Sequence, residues 1–315
     1  MTIVLPKLTC SSQIKEVTVN NSVAVGGESC YPFHTFEGSM PHLPRIAMEV
    51  WDIPPADWAP AALAPFSGVM HDPISWAQEC VSRYKAEMIC LQLEGTDPNG
   101  QNRSAEEAAA LVKSMSAALS VPLIVWGTAS QEKNTEVLRQ ICEAVTDKKL
   151  VIGPVETENY KRIAAAALSY GHIVAASSPI DVNLAKQLNI LISNLGIPGN
   201  QTIIDPTVSS LGYGLEYCYS VMERIRIAAL VQDDDKLQSP IICNIARESW
   251  KAKESKLPDS PLFGDAEKRG IMLEALSAQA LLLAGGNIIV MRHPEAIRLV
   301  RKLIAELGDA ADIVC

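Results

Sequence analysis

Eight short runs of β-favouring residues recur along the chain, and a helical pattern follows each of them. Most runs are apolar throughout instead of alternating, which is typical of strands buried on both faces of a parallel sheet. Units of roughly 30–40 residues, each a strand and then a helix, match the repeat of a (β/α)8 barrel. The runs cover residues 47–52, 88–95, 122–128, 150–156, 172–178, 202–208, 240–246 and 287–293.

Start signals for helices support this division of the chain. Asp72 before Pro73 places an N-cap acid ahead of a proline at the first helical position. Ser104 and Glu107 have the spacing of a capping box. An open doubly wound sheet is the rival fold, but it often carries a glycine fingerprint after its first strand, where this chain has "IPPADWAP". We therefore predict an α/β fold, a closed (β/α)8 TIM barrel. Further helices are predicted to begin near Ser130, Thr157, Asp181, Gly214, Asp265 and Pro294.

The segment ahead of the first strand has a different pattern. "IKEVTVNNSVAV" alternates around Asn20-Asn21, a pair that favours a tight hairpin turn. We interpret it as an N-terminal β-hairpin extension that caps the bottom of the barrel. The chain then divides into a hairpin and lead-in loop at 1–46 and a barrel at 47–315. A second long insertion, 247–264, follows the seventh strand, and long loops inside compact domains are often functional.

Composition excludes several classes of partner. The 315 residues are 48% hydrophobic and 20% charged, which is typical of a globular chain. The net charge is −9 with scattered lysines and arginines, so we expect no nucleic-acid partner. The start "MTIVLPKLTC" lacks the pattern of a signal peptide, and residues 275–291 contain too many polar and glycine positions for a membrane span. We expect a cytoplasmic protein without a membrane partner.

The cysteines are dispersed. None forms a C-x-x-C pair, and several lie in apolar patterns where a thiol packs as a small hydrophobe. Iron–sulfur and structural zinc sites need clustered thiolates, so we predict neither on this chain. The eight are Cys10, Cys30, Cys80, Cys90, Cys142, Cys218, Cys243 and Cys315.

Polar residues gather at the predicted strand ends. In TIM barrels the active site lies at the C-terminal ends of the strands. Asp52, Glu94 and Asp205 are therefore candidate site residues, although strand-end acids also cap helices. The strand-end set is acidic and rich in hydroxyls, with few cations. Its members are Asp52, Glu94, Thr96, Asp97, Trp126, Thr128, Glu156, Ser177, Ser178, Asp205, Thr207, Asn244, Arg247, Arg292 and His293. Asp72, Asp97 and Asp181 are better explained as caps.

Several barrel chemistries are disfavoured. No lysine ends a strand, which argues against a Schiff-base aldolase. The five histidines are dispersed, so no metal-ligating set is predicted. Glycines Gly285 and Gly286 precede the last strand, at the wrong end for a phosphate loop. Aromatic residues are only 5% of the chain, which disfavours a sugar site, and Trp51 and Trp126 are interpreted as core. His293 is interpreted as a helix-start residue.

Four segments together resemble a known family. They are "GGESCYPFHTFEG" (26–38), "PRIAMEVWD" (44–52), "LEGTDPNG" (93–100) and "IIDPTVSSLGYGLEY" (203–217). Over about residues 14–308 the chain resembles the small (delta) subunit of the corrinoid iron–sulfur protein of the acetyl-CoA synthase/CO dehydrogenase pathway of anaerobes. The resemblance implies a (β/α)8 barrel that pairs with a large subunit, which holds the [4Fe–4S] cluster and a corrinoid-binding domain.

The resemblance also implies a role in methyl transfer. A base-off corrinoid (cobalamin) lies at the interface between the subunits, over the barrel mouth. It accepts a methyl group from methyltetrahydrofolate through a separate methyltransferase and passes it to acetyl-CoA synthase. Transient partners are then that methyltransferase, acetyl-CoA synthase and a reductive activator. The chain is a carrier subunit under this interpretation, without catalytic residues of its own, and it lacks an Asp-x-His-x-x-Gly pattern for ligating cobalt.

Candidate corrinoid contacts follow from barrel geometry. They comprise a loop in the lead-in segment and groups at the strand ends: Phe33, His34, Phe36, Glu37, Asp52, Glu94, Thr96, Asp205, Thr207 and Arg247. A packed loop histidine is the simpler interpretation of His34. The alternative function is a pterin-dependent methyltransferase, in which Asp52, Asp205 and Asn244 would hold the pterin ring. A third interpretation is a structural barrel whose strand-end acids are only caps.

Overall fold

The computed structural model describes residues 8–309. Residues 1–7, where the predicted absence of a signal peptide was argued, and Cys315 lie outside the described residues. Two strands form an antiparallel hairpin and eight form a parallel sheet. The strands are β1 (Val17–Val19), β2 (Val23–Val25), β3 (Arg45–Trp51), β4 (Met88–Gln92), β5 (Leu123–Trp126), β6 (Val151–Val155), β7 (Ile173–Ser177), β8 (Thr202–Asp205), β9 (Ile242–Asn244) and β10 (Ile288–Met291).

The eight parallel strands form the predicted barrel. Their order is β8-β7-β6-β5-β4-β3-β10-β9, so neighbours in sequence are neighbours in space. The strand β3, first in the barrel, pairs with the last, β10, in register from Arg45 opposite Ile288. Between β8 and β9 the contact is one parallel bridge, Ile204 to Ile241, with the Ile204 N–H donating to the Pro240 carbonyl at 2.8 Å. This interface, which we call the seam, closes the ring.

Helices alternate with the barrel strands. They are α1 (Pro60–Leu63), α2 (Pro73–Ser82), α3 (Ala105–Ala118), α4 (Gln131–Ala144), α5 (Tyr160–Tyr170), α6 (Val182–Asn194), α7 (Leu215–Leu230), α8 (Ala246–Lys251), α9 (Lys253–Lys256), α10 (Ala266–Leu283) and α11 (Pro294–Asp309). Asp72 and Asp181 accept from the first-turn N–H groups of α2 and α6, and Ser104 and Glu107 form a complete capping box. Asp97 instead accepts from the Asn99 N–H in a loop turn.

The hairpin closes the N-terminal end of the barrel. Val17, Val19 and Val25 are buried in one cluster with the first inward residues of the barrel strands, Met88 and Ile288 among them. These apolar side chains continue the packed interior of the barrel at this end. The predicted capping hairpin is therefore confirmed, whereas the division of the chain at residue 46 stays a prediction.

The lead-in loop lies at the same end as the hairpin. Glu28 accepts from the Asn287 side-chain amide at 2.9 Å, and Asn287 directly precedes β10. Arg226, fully buried near the end of α7, donates to the Gly285 carbonyl at 2.6 Å and lies 3.6 Å from Glu28. The loop thus begins at the N-terminal ends of the strands, opposite the face where active sites of such barrels form.

All eight barrel strands end one to three residues before the predicted runs do, and three of these ends have a visible local cause. Glu94–Thr96 forms a turn of 3₁₀ helix in place of the end of β4, and α8 begins at Ala246. Thr207 adopts a φ of 56°, which ends β8. Across residues 8–309, no helix combines the length and hydrophobicity that crossing a membrane requires.

Candidate functional site

A polar layer lies above the apolar interior, toward the C-terminal mouth of the barrel. Alternate residues of a strand point to the same side, so the inward positions Ala47, Cys90 and Val290 are followed two residues later by Glu49, Gln92 and Arg292. On β8 and β9 the same alternation brings Asp205 and Asn244 inward after Ile203 and Ile242. The mouth is therefore lined by hydrogen-bonding groups rather than by aliphatic side chains.

Glu49 and Arg292 form a buried ion pair at the centre of this layer. Arg292 Nε donates to Glu49 Oε2 at 2.6 Å, and the two side chains are 3% and 0% exposed. The Arg292 guanidinium also lies 3.6 Å from the centroid of the Trp58 ring. A buried pair of this kind is stable only while both charges are present, because either one alone would be buried without compensation.

Gln92 and Asn244 join two strands on opposite sides of β3 and β10. The Gln92 side-chain amide donates to the Asn244 carbonyl oxygen at 3.3 Å. Gln92 is buried, whereas Asn244 is half-buried and accessible from the mouth. Side-chain amides of this type present both donors and acceptors to a ligand.

Asp205 ends β8 as a buried carboxyl group. Burial raises its pKa to about 6, and the nearby Glu156 adds to the rise, while the neighbouring Ser177 side chain and the hydrogen bond from the Thr207 N–H oppose it. The Thr207 N–H donates to Asp205 Oδ1 at 3.0 Å. The left-handed backbone of Thr207 allows that turn, and its hydroxyl donates to the Ser178 carbonyl at 2.6 Å. Asp205 therefore keeps its proton to a higher pH than an ordinary aspartate does.

Glu94 and Arg247 form an ion pair at the edge of the mouth. Arg247 Nη1 lies 2.5 Å from Glu94 Oε1, and the arginine side chain is 48% exposed. Burial raises the pKa of Glu94, Arg247 lowers it, and the acids Glu49 and Asp52 raise it further. The pair therefore joins the 94–96 turn to the start of α8.

Asp52 and Thr96 hold the neighbouring loop in place. Asp52 Oδ1 accepts from the Gly95 N–H at 2.8 Å, and Oδ2 accepts from Arg103 at 3.3 Å. Burial raises the pKa of Asp52, against the Gly95 N–H and Arg103, which lower it. The buried Thr96 hydroxyl donates to the Leu93 carbonyl. Both side chains therefore order the turn that positions Glu94.

The 33–37 loop does not meet these residues. It belongs to the lead-in segment, whose ends are tied together by Ser29 and Ser39 and which starts at the opposite end of the barrel. His34 is 53% exposed, lies 3.5 Å from Glu37 and stacks on Phe36 with ring centroids 5.2 Å apart. The structure thus brings Glu94, Asp205, Thr207 and Arg247 to one face and Phe33, His34, Phe36 and Glu37 to the other.

Glu274 of α10 anchors the strand end that carries Arg292. This fully buried carboxyl group accepts from the backbone N–H groups of Arg292 and His293 at 2.5 and 3.0 Å. It also accepts from the Trp250 indole N–H at 2.9 Å. Burial raises its pKa to about 7 against these hydrogen bonds. His293 precedes α11, as predicted, and its Nδ1 accepts from the Glu295 N–H.

Sequence comparison places this chain in a known family. The family model described as the CO dehydrogenase/acetyl-CoA synthase delta subunit matches residues 14–304. The chain belongs to that family. The delta subunit of the acetyl-CoA decarbonylase/synthase complex of Archaeoglobus fulgidus is 35% identical over 91% of this chain and 64% of its own length. Delta subunit 1 of Methanosarcina thermophila is 33% identical over 94% of this chain and 71% of its own length. This delta-family chain thus spans about two thirds of those relatives.

Solved structures share the barrel of this delta-family chain. A dihydropteroate synthase of Coxiella burnetii in complex with pteroic acid matches with a TM-score of 0.58 and 13% identity over 95% of this chain and 99% of its own. The Yersinia pestis dihydropteroate synthase with a pterine-sulfa conjugate matches with a TM-score of 0.57 and 13% identity over 93% of this chain and 100% of its own. At this identity the likeness establishes the fold, which is the predicted TIM barrel.

Two inward polar residues of the delta-family chain escaped the sequence analysis. Glu49 and Gln92 lie inside strands, whereas the candidate residues came from strand ends. The available signals were the single glutamate in "AMEVW" and the single glutamine in "MICLQ". A polar residue inside an apolar strand is buried and needs a hydrogen-bonding partner, so each of them indicates a second polar residue nearby. Within residues 8–309, no group of three or more His, Cys, Asp or Glu side chains is arranged to hold a metal ion.

Proposed function

We propose that this chain is the small subunit of a corrinoid iron–sulfur methyl carrier. A large subunit supplies the corrinoid-binding domain and the [4Fe–4S] cluster, and the corrinoid lies over the polar mouth of this barrel. Membership of the delta-subunit family carries the proposal. The names of the relatives, subunits of the acetyl-CoA decarbonylase/synthase complex, support an assembly with protein partners.

The donor and acceptor set at the mouth fits such a group. A corrinoid carries amide side chains around its ring, and these need hydrogen-bond partners when water is displaced. Asn244, Thr207 and Arg247 offer an amide, a hydroxyl and a guanidinium on the accessible side of the layer. When bound, the corrinoid supplies a cobalt centre that accepts and releases a methyl group, and the protein supplies placement.

The residues of this chain then position the corrinoid and shield it from water. Glu94, Asp205, Thr207 and Arg247 hold the ring substituents, while Asp52 and Thr96 fix the loop that carries Glu94. The thiols in the barrel do not act as nucleophiles, because only a thiolate reacts and burial raises the pKa of both Cys90 and Cys243 well above the ordinary value. The 33–37 loop, at the other end, contributes no contact to this set.

Anaerobic purification of the chain from its native host tests the proposal. We expect a stoichiometric iron–sulfur partner, identified by mass spectrometry, and corrinoid bands in the absorption spectrum. A colourless chain without a corrinoid-containing partner contradicts the carrier role. The proposal further includes transient contacts with a methyltetrahydrofolate methyltransferase, acetyl-CoA synthase and a reductive activator, each of which the same purification can detect after mild crosslinking.

A second candidate is a pterin-dependent methyltransferase. It is favoured by the grouping of Gln92, Asn244 and Asp205 inside one mouth, since pterin edges pair with amide and carboxyl groups. Asp52 no longer belongs to that set, because its oxygens are taken by Gly95 and Arg103. Titration of the isolated chain with methyltetrahydrofolate separates the two functions. Saturable binding of methyltetrahydrofolate that is lost in Asp205→Ala supports the methyltransferase function. The absence of such binding supports the carrier function.

A further inference from the structure

A small cavity opens beside the polar layer, between the first and last strands of the barrel. Its volume is about 110 Å³, and three indole rings, those of Trp51, Trp58 and Trp250, line it together with Arg292. Pockets that enclose a whole small molecule hold roughly 300–1,000 Å³. One water occupies roughly 30 Å³ of liquid. The cavity is therefore too small for a corrinoid or a pterin and has room for one small polyatomic group.

Arg292 provides the cavity with unused donors. The residue is only 2% exposed, and its Nε is taken by Glu49. Within residues 8–309, neither terminal nitrogen of its guanidinium donates a hydrogen bond, although the side chain lines the cavity. The Trp58 ring, 3.6 Å from the guanidinium, covers one face of the fork and fixes its direction. A planar fork of free N–H groups matches the geometry of a carboxylate or phosphate.

The rim of the cavity carries further positive charge. Arg247, Lys251 and Lys256 line it from the α8–α9 segment. Arg247 is neutralised by Glu94, but the two lysines make no ion pair with any described residue. Asp57 is the one acidic residue of the lining, so the unpaired rim charges sum to two positive and one negative. This excess favours entry of an anion.

Two of the tryptophans that line the cavity carry indole N–H groups without an acceptor. Trp51 and Trp58 are more than nine-tenths buried, and neither indole N–H has an acceptor among the described residues. An indole nitrogen donates only and usually finds an acceptor when buried. Both indole nitrogens are closed off from solvent, so the terminal nitrogens of Arg292 are the buried donors that face the cavity, beside the Glu49 carboxylate, whose Oε1 has no partner among the described residues.

We propose that this cavity, bounded by Trp51, Trp58, Trp250 and Arg292, binds an oxyanion, either a carboxylate or a phosphate group of a larger ligand. Arg292 is the buried donor, and Lys251 and Lys256 attract the charge from the rim. This function differs from holding the corrin ring, which does not fit the cavity. It requires neither the large subunit nor the corrinoid.

Tryptophan fluorescence of the full-length chain tests the proposal. Three of the five tryptophans line the cavity, so occupancy changes the emission. The probes are inorganic phosphate and acetate, each titrated at constant ionic strength against chloride. We expect saturable binding of at least one of them. Binding of phosphate alone identifies a phosphate ester as the natural ligand, and binding of acetate alone identifies a carboxylate.

Two double variants locate the binding. Glu49→Gln with Arg292→Gln removes both charges of the buried pair together, so that neither is left uncompensated, and should weaken binding at least tenfold. Lys251→Gln with Lys256→Gln alters only exposed side chains and should weaken it about threefold to tenfold. Lys113→Gln with Lys161→Gln, exposed lysines on α3 and α5, is the charge-matched control and should bind as the unaltered chain does.

Two outcomes overturn the proposal. One is the absence of saturable binding of both phosphate and acetate by the unaltered chain. The other is equal binding by all three double variants, which would place the anion elsewhere. The lysine variant keeps the test decisive if the buried double variant fails to fold, because Lys251 and Lys256 are both exposed. Corrinoid content after native purification is independent of these results, so the carrier function is tested separately.

Discussion

Asp205 illustrates how one buried carboxyl group links stability to pH. Its pKa is about 6 in the folded chain, against 3.8 for an ordinary aspartate. Between these values the unfolded chain has released the proton and the folded chain retains it, so the free energy of unfolding falls as pH rises through this window. The loss of stability from ionising the buried carboxyl group is complete above about pH 6 and absent below about pH 4.

We therefore expect Asp205→Asn to stabilise the chain above pH 6. An amide keeps an acceptor for the Thr207 N–H and cannot ionise, so the free energy of unfolding at pH 7.5 should rise by about 2–3 kcal/mol. Urea titrations at pH 4 and 7.5 measure the difference, which should vanish at pH 4.

Asp72→Asn is the matched control for that experiment. Asp72 is an exposed N-cap, and hydrogen bonding from Ser75 lowers its pKa, so this variant should not gain stability at pH 7.5. Equal gains in both variants, or none for Asp205→Asn, would contradict the assigned cause.

Glu274 is the second residue whose chemistry gives a sharp prediction. Three donors converge on it: the backbone N–H groups of Arg292 and His293 and the indole of Trp250. Glu274→Ala leaves them without an acceptor in a dry site and should cost about 3–5 kcal/mol in chemical denaturation. Glu267→Ala, exposed on the first turn of the same helix, should change stability by less than about 0.5 kcal/mol.

At the scale of elements, the hairpin at the N-terminal end has a measurable packing role. Val19 is fully buried against the inward residues of the barrel, whereas Thr18 points to the other face of its strand. We expect Val19→Ala to lower the free energy of unfolding by about 2 kcal/mol. Thr18→Ala should cost much less in the same thermal or urea unfolding, and equal costs would mean that the hairpin does not pack into the barrel.

Elements were the part of the structure that the sequence predicted best. All eight barrel strands lie within or next to the apolar runs, because a strand buried on both faces must be apolar throughout. The N-cap residues Asp72, Ser104 and Asp181 predicted three helix starts to the residue. Such a start can be read from the sequence because the capping side chain bonds to backbone N–H groups only two or three residues further on. The helix predicted near Thr157 begins at Tyr160, because Glu156 and Asn159 form a turn first.

The positions of the candidate site residues were predicted less well than the fold. Strand-end reasoning placed Glu94, Asp205 and Arg247 at the mouth, where they lie in the structure, and their contact with a ligand stays a prediction. The 33–37 loop lies at the other end of the barrel, because no local sequence signal determines which end a long lead-in segment crosses. The strand-end set has few cations, but two further lysines, Lys251 and Lys256, line the cavity beside the mouth. Lys251 and Lys256 come from the helical insertion after β9, so their location depends on tertiary packing and not on a strand end.

For the whole molecule, exposed apolar side chains at the C-terminal face point to an assembly. Leu262 is 84% exposed and Tyr217 65% exposed. Leu211 lies in the loop before α7, the helix that carries Tyr217, and Phe263 follows Leu262 in the loop before α10. We call these four residues the apolar rim. Under the proposed function, the rim packs against the large subunit, since apolar groups left in water favour association.

Leu262→Ser with Tyr217→Ser should therefore weaken recovery of the large subunit in native pull-downs by about tenfold or more. The melting temperature of the isolated chain should stay unchanged, because both side chains are already in water. Leu168→Ser with Leu283→Ser alters exposed leucines away from the rim and serves as the control. Equal recovery with both double variants would mean that the partner binds elsewhere.

The seam between β8 and β9 is the strand interface with the fewest backbone pairings in the barrel. Seven strand interfaces have three or more paired positions, such as the five of β3 and β4, and only the β6–β7 register shifts, between Ile152 and Val155; the seam has a single bridge at Ile204 and Ile241. In hydrogen–deuterium exchange, the amides of residues 203–205 and 241–243 should exchange before those of β3 and β4. Asp205 and Asn244 lie on either side of the seam. Widening of the seam would therefore change the diameter of the mouth while the rest of the barrel keeps its shape.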